Sequence, residues 1–124
     1  MKIAEYDPAI PGKNELPEPA DLVVCTDVLE HIEPGLLPNV LEHLRSLTRK
    51  CFFFAIDCGP ANKHFPDGRN VHLIQEPPLW WLNKLDGYLH IGGFNERVLK
   101  VKDKKVPDGA PELKGFDCWG YPHV

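Results

Sequence analysis

The sequence predicts a single α/β domain over residues 1–124, built on a mostly parallel sheet with an antiparallel C-terminal edge. Two apolar runs, Leu22 to Cys25 and Cys51 to Ile56, lack polar alternation, as strands buried on both faces do. Between them Leu37, Val40, Leu41, Leu44 and Leu47 recur at helical spacing. After residue 87 the apolar pattern breaks into short runs around Gly92-Gly93, which suits hairpin-like strands.

The elements follow in order. Lys2 to Tyr6 reads as a short strand stopped by Asp7-Pro8, and a proline-rich connection leads to Asp21. A helix is expected from about Pro38 to Thr48. Its proline is tolerable only in the first turn, and Arg45, Arg49 and Lys50 lie favourably near its C-terminal dipole. Strand, helix and strand then form a βαβ unit with a right-handed crossover. Asp57 to Glu76 is a long irregular stretch rich in turn chemistry, and connections of such length are usually functional. Pro77-Pro78 opens a second helix with Leu79, Leu82 and Leu85 as its apolar positions and Gly87 at its exit. Tyr88 to Ile91 and Arg97 to Val101 are expected as strands, with Phe116 to Tyr121 as a last edge strand.

Composition restricts the function classes. With 43% apolar residues the chain can bury a core, and its formal net charge of −4 argues against a nucleic-acid platform, which needs a dense basic face. The run Lys100, Lys102, Lys104, Lys105 reads as a solvated strand edge. No apolar stretch approaches the ~20 residues that span a bilayer, and MKIAEYDPAI has no signal-like segment, so no membrane contact and a cytoplasmic, reducing setting are expected. Cys25, Cys51, Cys58 and Cys118 lack the short spacing of a zinc or redox motif and read as buried thiols. The histidines are scattered too, so no metal site is expected. No nucleophile elbow is present for a Ser/His/Asp triad.

In open α/β sheets, ligands lie beyond the carboxyl ends of the strands, which points to Thr26 and Asp27 just after the first apolar run. Asp and Thr at such a turn also satisfy exposed backbone donors, so the pair has a structural reading beside the ligand one. Asp7, before a proline, likewise reads as a turn starter. Glu30 and Glu33 read as solvated or as lying near the helix N-terminus, where negative charge is mildly favourable, and His31 as a packed histidine or a ligand contact. The long loop concentrates Lys63, His64, Asp67, Arg69, Asn70 and His72, and of the adjacent Trp80 and Trp81 one packs in the core while the other caps a pocket or interface.

DLVVCTDVLEHI, followed by the leucine-spaced helix and a second apolar strand, resembles the fourth strand, next helix and fifth strand of class I S-adenosylmethionine-dependent methyltransferases. The Asp27, Leu29, Glu30, His31, Ile32 piece is typical of their small-molecule branch, and Pro77 to Tyr88 resembles the helix leading into the sixth and seventh strands. The resemblance implies a truncated Rossmann-like methyltransferase sheet that transfers a methyl group from S-adenosylmethionine. Asp7 would hold the cofactor ribose, and Cys25, Thr26 and Asp27 would line the cofactor side. Asn70, His72 and Trp80 would face the acceptor, with His72 or His64 as a base. None of the ten glycines forms the family's Gly-x-Gly loop, and the first and third strands are not recognisable. This implies a sheet completed by residues 2–6, by a homodimer or by a partner protein, with activity of an isolated monomer in question. The competing expectation is a non-catalytic binding or assembly module derived from a methyltransferase.

Overall fold

The computed structural model describes residues 3–98 and 114–123. Four strands, β1 (Ala20–Thr26), β2 (Thr48–Asp57), β3 (Leu89–Val98) and β4 (Lys114–Pro122), form one sheet in the order β1-β2-β4-β3. Two helices, α1 (Leu37–Leu47) and α2 (Pro78–Asp86), join single 3-10 turns at Leu29–His31 and Pro34–Leu36.

The expected parallel pair is present. Val23 lies opposite Phe52 and Val24 opposite Phe53, with β1 and β2 running the same way across α1. The expected sheet is not: β2 pairs antiparallel with β4, and β4 antiparallel with β3, so a mixed, mostly antiparallel sheet replaces the mostly parallel Rossmann-like one. The cause is where the last strand goes. It inserts between β2 and β3, setting Phe54 opposite Cys118 and Ile56 opposite Phe116, instead of lying at an edge. The break expected at Gly92-Gly93 is a register shift inside β3, which runs continuously through it. Residues 3–6 form no strand, so they do not complete the sheet. Lys2, the Lys100 to Lys105 run and the end of the expected 97–101 strand lie outside the described residues.

Both helices pack on one face. Leu37 and Leu41 of α1 and Trp81 and Leu85 of α2 join Phe52, Phe54, Ile56, Leu89, Phe116 and Cys118 in a single buried cluster. On α2 Leu85 is buried in the core with Pro78 and Trp81, and Leu82 packs partly buried against it, whereas Leu79 points outward. Apolar runs in β1 and β2 had implied burial on both faces, yet Leu22 and Val24 are 53% and 59% exposed. Phe53 is half-buried, and Trp119 and Tyr121 are exposed. The fold therefore has two layers, and β1 is an edge strand among the described residues. No described helix is long and apolar enough to cross a membrane.

Candidate site at the carboxyl ends of the parallel strands

The chain leaves β1 through Asp27, whose φ of +57° makes it the one described non-glycine residue in the left-handed region. Its N–H donates to the Ala55 carbonyl (3.0 Å), which ties the turn to β2. Thr26 and Asp27 are both exposed. Cys25, one residue earlier, is half-buried against the core, and burial, followed by the charges of Glu30 and Asp27, pushes its thiol up to about 12.

The 3-10 turn Leu29–His31 then presents Glu30 and His31 to the long loop between β2 and α2. Glu30 is completely buried, contrary to the solvated reading, and neither of its carboxylate oxygens has a hydrogen-bond partner. Ile74 closes over it from the loop, donating its N–H to the Glu30 carbonyl at 3.1 Å. Burial pushes the Glu30 carboxyl up, and Asp27 adds to this. The N–H dipoles of Glu30 and Asp57 and the nearby His31 oppose the shift without reversing it.

Asn70 folds the loop back onto this turn. Its Oδ1 accepts the N–H groups of Ala61 (3.0 Å) and His72 (2.9 Å), and its Nδ2 donates to the Ala61 carbonyl (2.9 Å). That delivers His72, which is 8% exposed, edge-on to His31 with ring centroids 4.7 Å apart. Each imidazole Nδ1 meets a backbone carbonyl, Val71 at 3.1 Å for His31 and Gly59 at 2.7 Å for His72. A carbonyl only accepts, so each Nδ1 carries a proton, and Nε2 is the nitrogen left to bind a ligand through its lone pair. One ligand atom from each of Glu30, His31 and His72 lies within 4.8 Å of the others. Scattering along the sequence was the reason to expect no metal site, and the loop removes that reason by bringing residue 72 to residues 30 and 31.

The remaining expected site residues separate. Asp7 stays in a turn of its own: its carboxylate accepts the Ala9 N–H (2.9 Å), and its backbone pairs with Ile10 and Lys13. The adjacent Tyr6 packs edge-on to His43 of α1, and no hydrogen bond or ring contact among the described residues brings Asp7 to Thr26 or Asp27. His64 is exposed and held to Asn70 by an isolated antiparallel bridge. His72 is buried beside Glu30, not open to an incoming acceptor. Trp80 is the half-buried member of its pair, resting on the fully buried Trp81 and capped by Lys84 at 5.4 Å. Glu33 is paired with Arg69 at 3.0 Å, an exposed contact of modest strength.

Sequence spacing pointed to Thr26, Asp27 and the loop but missed Glu30. A carboxylate in an -LEHI- turn carries no local sign that a segment forty residues away will cover it. No family model matches the chain, and no curated protein matches it.

Proposed function

We propose that this chain is a methyltransferase-like domain that takes S-adenosylmethionine at the carboxyl end of β1 and is incomplete as an isolated monomer. The observation that carries the reading is the parallel β1-α1-β2 unit ending in exposed Thr26 and Asp27, with Asp27 held in a left-handed turn. Strand ends of this kind are where α/β sheets take their ligands.

The residues fit the cofactor from one side. The Thr26 hydroxyl and the Asp27 carboxylate offer an acceptor-rich surface for the ribose and amino groups. Asp7, which the resemblance assigns to the ribose, is committed to its own turn. The opposite wall would have to come from whatever pairs with the free edge of β1. When bound, the cofactor supplies a methyl group already activated on a sulfonium, so the protein's task is chiefly in-line positioning of the acceptor.

A second reading, a binding or assembly module without catalysis, is favoured by the open sheet face, where Leu22, Val24, Trp119 and Tyr121 are all exposed. Calorimetric titration with S-adenosylmethionine and S-adenosylhomocysteine separates the two. The methyltransferase reading expects measurable heat, weakened by Asp27→Asn by about 1.5–3 kcal/mol, the range for a hydrogen bond to a charged group. Asp7→Ala should leave the affinity unchanged. No heat and no thermal shift at millimolar ligand would favour the module.

A further inference from the structure

We propose that Glu30, His31 and His72 form a binding site for a divalent transition-metal ion of the Zn²⁺ class, with two histidines and one carboxylate as its protein ligands. The inference is independent of cofactor binding at β1.

Three observations converge on it. The first is geometric: three ligand atoms, two imidazole nitrogens and a carboxylate oxygen, already lie within 4.8 Å of one another. Ligands around a tetrahedral zinc at 2.0–2.1 Å sit about 3.3 Å apart, so the three side chains would close by up to about 1.5 Å on binding the ion. The second is the state of Glu30. A fully buried carboxylate whose two oxygens have no partner in good hydrogen-bond geometry, and only the Glu30 and Asp57 N–H groups near them, is expensive in any fold, and buried charges are normally paired or bound to metal. The third is the orientation of the histidines. Both present Nδ1 to a backbone carbonyl, the outer-shell arrangement that fixes a metal-binding imidazole with its Nε2 lone pair free.

The ligand set also indicates the class of metal. Imidazole nitrogen with a single carboxylate suits Zn²⁺, Co²⁺ or Fe²⁺ better than Mg²⁺ or Ca²⁺, which prefer all-oxygen shells. Three protein ligands leave at least one coordination position open, as in catalytic and not structural zinc sites. Exposed His31 gives the ion a route in from solvent, with exposed Asp27 nearby on the same turn.

The test uses the full chain stripped of metal with a chelator, then titrated with Co²⁺ by visible absorption and with Zn²⁺ by calorimetry. One equivalent is expected to bind, with a rise in melting temperature and displacement of Co²⁺ by Zn²⁺. His31 is exposed, so His31→Ala should keep the fold while weakening Zn²⁺ by about 100-fold or more, beyond the loss typical of an outer-shell change. His72→Asn, checked for folding by circular dichroism, should do the same. His43→Ala, on α1, should bind like the parent. Absence of saturable Co²⁺ or Zn²⁺ binding, or binding that persists undiminished in His31→Ala, would overturn the assignment.

Discussion

Burial decides the chemistry of individual side chains here more than charge pairing does. Cys118 is fully buried and Cys25, Cys51 and Cys58 are half-buried, all as free thiols. For Cys25, Cys58 and Cys118 burial is the leading cause that pushes the thiol from 9.0 to about 12; neighbouring carboxylates add to it. A rise of that size lowers the thiolate fraction at pH 8 about 1,000-fold, and only the thiolate is a competent nucleophile. Native alkylation with iodoacetamide at pH 8, read by mass spectrometry, should therefore spare these three and modify Cys51 first, whereas all four should react in denaturant. Raising the pH toward 11 should bring the protected thiols in, because their charged form becomes populated as pH approaches the shifted value. Alkylation of Cys58 as fast as Cys51 at pH 8 would contradict this account. Glu30 follows the same logic from the acid side: its burial, not its sequence neighbours, makes it the unusual carboxyl of the chain.

At the level of elements, the sheet depends on how closely β4 fits between its neighbours. A Cβ on Gly120 would stand 1.9 Å from the His90 carbonyl oxygen and 2.8 Å from the Gly92 nitrogen, both backbone atoms that cannot rotate away. Gly93 is also crowded, but by the Trp119 indole at 2.7 Å, a side chain 42% exposed and able to swing outward. Gly120→Ala should accordingly lose about 1–3 kcal/mol or more in urea unfolding, as overpacked sites do, and Gly93→Ala clearly less. Equal losses would mean that the β3 backbone yields as easily as the indole. This contact also shows why topology was not legible. The α1 range and the β1–β2 pairing could be read because apolar runs and leucine spacing are local signals, and the helix expected over 38–48 is observed at 37–47. The place of β4 rests on the fit of Gly120, Cys118 and Phe116 against Phe52, Phe54 and Ile56 across sixty residues, which no local period encodes. The candidate site divides the same way: Thr26 and Asp27 follow from a strand end, whereas the Glu30–His72 contact needs the Asn70-organised loop.

On the scale of the whole molecule, no helix among the described residues lies on one side of the sheet, and the exposed residues there are large and apolar. Leu22 and Val24 project from edge strand β1, while Trp119 and Tyr121 extend the surface across β4. Edge strands in stable monomers are commonly protected by charge, proline or a covering element. On β1 the charge is confined to Asp21, which pairs with Arg49 at 3.1 Å and Lys50 at 3.5 Å at the strand's start, far from Val24. A second copy of the chain, adding its own β1 or covering the open face, would satisfy both the unpaired edge and the apolar surface. Light scattering should then show a mass that rises with concentration. Val24→Lys should restore the monomer while changing stability by no more than about 0.5 kcal/mol, since surface positions away from special features are that tolerant. A parent chain that stays monomeric at high concentration would exclude self-pairing as the cover for β1.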